Sequence, residues 1–166
     1  MSAEKTLTEF DGVLVTIRSK KSFLEVTKAI EASLQHFSIA KLTEYVEQGD
    51  REGLEAYVKE VSAPSGFSIF WEMNQGPAMR LAGLPIESKF YLVGNAVIAR
   101  GLFQYTAAAG LGAPVRICVS QRDGEDTRID LEEVTAFFSQ FPETGPSEVP
   151  KLLDAEMVKV FEDAAA

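Results

Sequence analysis

Residues 88–110 have the pattern of a β-strand that continues directly into an α-helix, and the other elements can be arranged around this unit. The strand portion is the short apolar run Phe90–Val93, which is rich in residues that favour strands. Gly94 permits a tight turn, and Asn95 is a favoured N-cap residue for the alanine-rich segment that follows. Gly110 is predicted to end this helix, because glycine commonly follows the last helical residue.

The length and the net charge of the chain limit the classes of protein to which it can belong. It has 166 residues, of which 46% are hydrophobic, enough for a single domain with a substantial core over residues 1–166. A net charge of -9 and an isoelectric point near 4.7 argue against nucleic acid or an anionic membrane as a partner, since both attract basic surfaces. The sequence indicates no signal peptide and no membrane span. We therefore expect a soluble cytoplasmic protein.

Histidine and cysteine are too few to indicate a metal centre. Cys118 lies between an isoleucine and a valine of a predicted strand, where a buried thiol is expected. His36, the only histidine, is predicted near the end of the first helix, where an imidazole suits the helix C-terminus. We expect no metal site and no cofactor.

Apolar periodicity and capping residues predict the remaining elements. Ser22 and Glu25 have the spacing of a capping box that opens the first helix. Residues 130–134 fit either a strand or the start of a helix capped by Asp130 and Glu133. The further predicted elements are strands at 13–18 and 67–74, helices at 39–48 and 50–61, a loop or single helical turn at 78–87, a hairpin turn at Asp123-Gly124 and an amphipathic last helix at 147–165.

A short pattern links three of these segments. A strand ends in Gly94 and Asn95 before a helix, Ala96 occupies the first helical position, and Pro114 begins a later strand. The segments are Gly66–Asn74, Leu92–Ala99 and the hairpin that begins Ala113-Pro-Val-Arg-Ile. Over residues 9–135 the chain resembles domain-of-unknown-function family 302, in which a strand ends in Gly-Asn-Pro before a helix and a later proline begins the next strand. Ala96 departs from that pattern, but alanine is a good helix former.

The resemblance implies an α+β domain with an antiparallel sheet, helices on one face and often a homodimer. It implies no catalytic residue, because the biochemical role of the family is largely unassigned. Together with the predicted elements, it leads us to expect an α+β fold in a split βαβ-like arrangement. The expected sheet is mainly antiparallel and has four or five strands, with helices packed on one face.

Glu72 is the candidate catalytic residue. It lies in an otherwise apolar strand between Trp71 and Met73. A carboxylate that faces a pocket would have a raised pKa and could serve as a general acid or base. Tyr91 and Arg116, on other predicted strands, are its expected neighbours. The alternative is that Glu72 lies on a solvent-facing or ion-paired side of the sheet.

Two functional hypotheses follow, and whether the protein is an enzyme stays open. The first is a module that binds an apolar small molecule between the sheet and the segment Gly76–Pro85; the alternative is that these apolar residues are simply core. The second is a cofactor-independent isomerase, cyclase or lyase acting on a small organic metabolite, with Glu72 moving a proton. The apolar residues behind the first hypothesis are Trp71, Met73, Met79, Leu81 and Leu84, and the candidate ligand-binding residues are Trp71, Asn74, Tyr91, Asn95 and Arg116.

We also expect a homodimer. A strand such as 13–18 or 127–131 at an open sheet edge is a surface that a domain of this size can leave uncovered. Two-fold dimers are the commonest soluble oligomers. The competing account is that the last helix packs back on its own sheet and buries its own apolar stripe. That stripe comprises Leu153, Met157, Val160 and Phe161.

Overall fold

One six-stranded sheet organises the part of the chain that the structure describes. The computed structural model describes residues 3–141 and 148–166. Within them the strands are β1 (Leu14–Ser19), β2 (Gln35–His36), β3 (Ser68–Asn74), β4 (Ile86–Gly94), β5 (Val115–Arg122) and β6 (Thr127–Glu132). Their order is β1-β6-β5-β4-β3-β2, and the neighbouring pairs are antiparallel except β2 with β3. The α+β class is confirmed, whereas the predicted count of four or five strands is wrong.

The strand that the sequence pattern missed is β2. Helix α1 (Phe23–Ser33) ends before Leu34, whose backbone is extended (φ -121°, ψ 120°), and the next two residues pair with the start of β3. His36 therefore lies in a strand, and its predicted place at the C-terminus of the first helix is wrong. Two residues are too few to show the alternation of a strand. The apolar pattern therefore predicted that the first helix extends beyond its true end at Ser33.

The first two strands form a βαβ unit that is split across the whole sheet. β1 and β2 run in the same direction but lie at opposite edges, and α1 connects them. The other four strands form an antiparallel meander between these edges. β6 is therefore an interior strand, so its predicted place at an open edge is wrong, whereas β1 is an edge strand.

Capping residues set most helix ends. The Ser22 hydroxyl accepts a hydrogen bond from the Glu25 amide, and the Glu25 carboxylate accepts one from the Ser22 amide, which is the predicted capping box. Gly110 does not end α5; it lies in a 3-10 helix (Ala107–Leu111) that follows. In the described residues no helix is long and apolar enough to cross a membrane. The remaining helices are α2 (Ile39–Gln48), α3 (Arg51–Val61), α4 (Gly76–Leu81), α5 (Ala96–Phe103), α6 (Val134–Phe138) and α7 (Glu148–Ala165).

Residues 130–134 divide between strand and helix. β6 and α6 are separated by one residue, Glu133, which makes no side-chain cap hydrogen bond. Asp154 of α7 instead accepts hydrogen bonds from the amides of Val134 (2.5 Å) and Thr135 (3.0 Å). The cap of α6 thus comes from another helix, which a local sequence pattern cannot reveal.

Helices α1 and α7 cover one face of the sheet and enclose the main core. Three stripe residues of α7, namely Leu153, Met157 and Phe161, are buried, and burying such a side chain contributes about 1.5–3 kcal/mol. The last helix therefore packs on its own chain, as the competing account expected. The homodimer stays a prediction, and the open edge of β1 is its remaining structural support.

A second, smaller core lies beside the β2–β3 edge of the sheet. Helices α2 and α3 build it around Phe37, Tyr57 and Val58. Phe70, at an irregularity in the β3–β4 pairing, stacks on Phe37 with ring centroids 4.4 Å apart. Phe70 thereby lies against this second core and close to the start of α5.

Candidate functional site

The junction between β4 and α5 is held by Asn95. Its side-chain oxygen accepts hydrogen bonds from the amides of Val97 (2.9 Å) and Ile98 (3.0 Å), which caps the helix as predicted. Its side-chain amide donates to the Gly66 carbonyl at 2.9 Å, in the loop before β3. The polar atoms of Asn95 therefore serve the fold.

A cavity of about 410 Å³ lies beside α5. Its walls come from the end of β4, from α5, from the start of β5 and from α7. The side chains that line it are predominantly apolar, so the space suits a hydrophobic molecule. Its large apolar side chains include Phe70, Val93, Ile98, Leu102, Leu153 and Met157.

Small residues leave this space open. Ala96 and Ala99 present only methyl groups from α5, and Ala113 does so just before β5. Gly94 lets two chain segments approach closely, since a Cβ placed there would lie 3.4 Å from Pro114 Cα. Alanine is also the best helix former. Ala96 and Ala99 therefore favour the helix and also leave only small side chains on the side of α5 that faces the cavity.

Arg100 carries the one charged side chain among the described residues that line the cavity. A second space of about 350 Å³ lies between α5 and α3, and Arg100 lines this space as well. The Glu55 carboxylate of α3 is 3.0 Å from Arg51 Nε and 3.5 Å from Arg100 Nη1. The Arg100 side chain is 65% exposed, and Arg100 lies where the cavity and the second space adjoin.

A separate group of charges lies at the middle of β4. Lys89 Nζ is 2.7 Å from Glu31 Oε1 of α1 and 2.9 Å from Glu72 Oε1 of β3. The Tyr91 hydroxyl donates a hydrogen bond of 2.9 Å to the same Glu31 oxygen. His36 Nε2 lies 3.3 Å from Glu72 Oε2. We call these five residues the β4 charge cluster.

Pairing inside the β4 charge cluster sets its ionisation. Burial raises the pKa of Glu72, but the hydrogen bond and charge of Lys89, together with His36, outweigh burial and leave that pKa below its usual value. Burial lowers the pKa of Lys89, and the carboxylates of Glu31 and Glu72 more than reverse this. Burial and the hydrogen bond to Glu31 raise the pKa of Tyr91. At neutral pH Glu72 is therefore an ionised, paired carboxylate, and the raised pKa expected of a catalytic acid is not found.

Of the other predicted ligand-binding residues, Trp71, Asn95 and Arg116 lie apart from the β4 charge cluster, whereas Asn74 is paired with Lys89 in the strand register. The strand register puts Arg116 on the opposite face of the sheet from Tyr91, where Arg116 forms an ion pair with Glu132. Trp71 is half exposed on that open face. The Asn74 side chain accepts a hydrogen bond in the turn before α4. The predicted site thus divides among separate places: Tyr91, opposite Glu72, and Asn74, opposite Lys89, lie at the cluster, and the other candidates do not.

The segment Gly76–Pro85 leaves its apolar side chains in solvent. Leu81 is 92% exposed, and Trp71 and Met73 are each 50% exposed. The alternative that these residues are simply core is wrong for Leu81, Trp71 and Met73, and the prediction that the segment covers a ligand stays a prediction. An ion pair between Arg80 and Glu87 (2.7 Å) holds α4 against β4.

Sequence reasoning missed the cavity because its walls come from segments that are far apart in the chain. Of the predicted ligand-binding residues, Asn95 lines the cavity, and the other four do not. The sequence feature that could have indicated the cavity was the alanine-rich segment after Gly94. Its small side chains were interpreted only as helix formers. For metals, no group of His, Cys, Asp and Glu among residues 3–141 and 148–166 could hold an ion.

Comparisons with known proteins agree with the fold. A family model described as "Domain of unknown function DUF302" matches residues 46–164. The crystal structure of an uncharacterized conserved protein DUF302 from Bacillus stearothermophilus is similar with a TM-score of 0.63, at 14% sequence identity, over 92% of this chain and 98% of that chain. At this identity the likeness concerns the fold alone. No curated protein matches the chain.

Proposed function

We propose, from the premise that this chain belongs to the DUF302 family of domains of unknown function, that it binds an apolar small molecule in the cavity beside α5. The cavity itself carries the proposal. Its volume of about 410 Å³ lies within the range of roughly 300–1,000 Å³ that is typical of small-molecule sites. The apolar-ligand hypothesis is thus kept, and its site moves from the segment Gly76–Pro85 to α5.

The energetics of the cavity favour an occupant. Phe103, which lines the cavity, is 47% exposed, so a bound apolar molecule would remove apolar surface of this side chain from water. Each Å² of apolar surface removed from water contributes about 25 cal/mol. Hydrophobic burial would therefore drive binding.

The alternative function, a cofactor-independent isomerase, cyclase or lyase, has less support. It requires Glu72 to exchange a proton near neutral pH, and the pKa of Glu72 is shifted in the opposite direction by Lys89 and His36. Arg116, which was expected to be a neighbour of Glu72, faces the other side of the sheet. We therefore favour binding over catalysis.

The proposal is tested by binding to the wild-type protein and to a variant with a filled cavity. Purified protein is titrated with 1-decanol, 2-naphthol and a naphthoquinone, and thermal unfolding and native mass spectrometry are recorded. A ligand at 100 times its Kd stabilises the folded state by about 2.7 kcal/mol, so a clear rise in Tm is expected. Absence of any shift and of any complex across this panel would contradict the proposal.

The filled variant is Ala99→Leu, in which the added carbons occupy the space beside α5. Its matched control is Ala40→Leu, at an exposed position of α2. We expect Ala99→Leu to abolish the ligand-induced Tm rise and Ala40→Leu to preserve it. Equal responses of the two variants would locate binding elsewhere on the protein.

A further inference from the structure

We infer that the ligand of the cavity is an amphipathic monocarboxylate, with an apolar body inside the cavity and its carboxylate at Arg100. This inference rests on the proposed function and specifies its ligand class. The starting observation is that, among the described residues, a predominantly apolar cavity has one charged lining residue, Arg100, whose side chain is 65% exposed. A ligand that filled the cavity would bring its end to that guanidinium.

Arg100 has hydrogen-bonding capacity to spare. A guanidinium has five N–H donors in a planar fork that matches a carboxylate. Among the described residues, Arg100 forms an ion pair with Glu55, whose Nη1–Oε1 distance is 3.5 Å, at the long limit for a hydrogen bond. Glu55 also pairs with Arg51 at 3.0 Å, in the i,i+4 geometry of a helix surface. Arg100 is thus the weaker of two partners of one carboxylate.

The local charge balance favours an anion. In the second space, beside the cavity, the guanidinium groups of Arg51 and Arg100 share the carboxylate of Glu55, whereas the whole chain carries a net charge of -9. A carboxylate at Arg100 would pair the second cation without removing Glu55 from Arg51. Because this position is open to water, the ligand would keep its charged group partly hydrated while its apolar body is buried.

The apolar interior of the cavity and Arg100 would contact different parts of the ligand. Inside, Met157 and Leu153 of α7 and Val93 of β4 offer only apolar contact. The polar atoms of Asn95, the other polar lining residue considered above, are engaged with the backbone. Discrimination between a carboxylic acid and the matching alcohol would therefore come from Arg100.

The test compares a matched pair of ligands on matched variants. Decanoate and 1-decanol, with 2-naphthoate and 2-naphthol as an aromatic pair, are titrated by calorimetry at pH 7.5 against the wild type. The same titrations follow for Arg100→Gln and Arg51→Gln, because Arg51 shares Glu55 but lines only the outer space. Comparing the two pairs shows whether the site prefers an aliphatic or an aromatic acid.

We expect at least one acid to bind the wild type about tenfold more tightly than its alcohol, which corresponds to about 1.4 kcal/mol. Arg100→Gln should remove this preference and leave alcohol binding within about twofold, which also demonstrates that the variant is folded. Arg51→Gln should keep the preference. Arg100→Lys, which retains the charge, should restore most of it and serves as the second variant if Arg100→Gln is unstable.

Two results would overturn the inference in distinguishable ways. If acids and alcohols bind the wild type equally, or if Arg100→Gln retains the preference for acids, the carboxylate role of Arg100 is refuted while apolar binding stands. If neither member of either pair binds the wild type, the proposed function fails and this inference fails with it.

Discussion

Strand β4 carries the β4 charge cluster at its middle, around Lys89 and Tyr91, and borders the apolar cavity at its end, where Val93 lines the wall. In the cluster, Glu31, Glu72 and Lys89 each have a partner of opposite charge within 2.9 Å. In the cavity, apolar side chains border a space that the chain does not fill. The comparison teaches that the ionised groups of the cluster are paired within the fold, although Glu72 Oε2 is buried without a hydrogen bond, whereas the predominantly apolar surface open to a ligand lies beside α5.

The two regions therefore make opposite demands on an added molecule. A ligand at the β4 charge cluster would have to displace ion pairs such as Lys89–Glu31, which costs the energy of breaking them. A ligand in the cavity displaces no protein contact. This difference is the physical reason for assigning function to the cavity and stability to the cluster.

The largest expected effect belongs to the cavity side. Met157→Ala removes a side chain that is 1% exposed and packs in the main core, so we expect the free energy of unfolding to fall by about 3 kcal/mol. Leu152→Ala, on the same helix but 49% exposed, should cost about 0.5 kcal/mol or less. Urea denaturation of both variants measures the difference. Equal costs would mean that this wall of the cavity is not packed as core.

The next effect belongs to the β4 charge cluster. Lys89→Met leaves the carboxylates of Glu31 and Glu72 without the cation between them, and we expect a loss of about 2 kcal/mol, between the costs of surface and fully buried pairs. Lys151→Met, which breaks an exposed pair with Glu148, should cost below about 1 kcal/mol. Urea denaturation at pH 7 compares them. A Lys89→Met variant as stable as the control would remove the structural role assigned to the cluster.

The smallest effect is a dependence on pH. The pKa of Glu72 is lowered in the folded state, so ionised Glu72 stabilises the fold above its usual pKa of 4.5 and this contribution is lost as the pH falls through its folded pKa. Glu72→Gln should therefore reduce the free energy of unfolding by about 1 kcal/mol at pH 7. The difference from the wild type should shrink as the pH falls below 4.5 and through the lowered folded-state pKa of Glu72.

The control for this pH dependence is Glu60→Gln, at an exposed position of α3. Chemical denaturation of the wild type and both variants at several pH values between 3 and 7 gives the comparison. A deficit of Glu72→Gln that stays constant, or that grows on acidification, would contradict the pairing of Glu72 with Lys89.

Local chemistry made much of the fold predictable. The capping box of Ser22 and Glu25 depends on a spacing of three residues, and the structure contains both of its hydrogen bonds. Gly49 ends α2 in the left-handed conformation (φ 65°), and Gly124 turns the β5–β6 hairpin (φ 81°). These features need only neighbours in the chain. β2 and the Asp154 cap of α6 escaped prediction because each depends on a partner from a distant segment.

The candidate site was predictable only in fragments. The proximity of Glu72 and Tyr91 follows from neighbouring strands, and the register pairs them. Glu31 could not be added from the sequence, since its position depends on how α1 crosses the sheet. The cavity was out of reach for the same reason: Val93, Ile98 and Met157 meet only after three elements have packed.

The sequence by itself determined the family, the α+β class and the junction at Gly94 and Asn95, because turn, cap and helix propensities act over a few residues. The tertiary structure alone decided that Glu72 is paired rather than poised for proton transfer, and that a space remains beside α5. The physical reason is that a pKa and a cavity both depend on what lies across the sheet or on another helix. Packing of α1 brings Glu31 to Lys89, and packing of α7 against the thin side of α5 leaves the cavity.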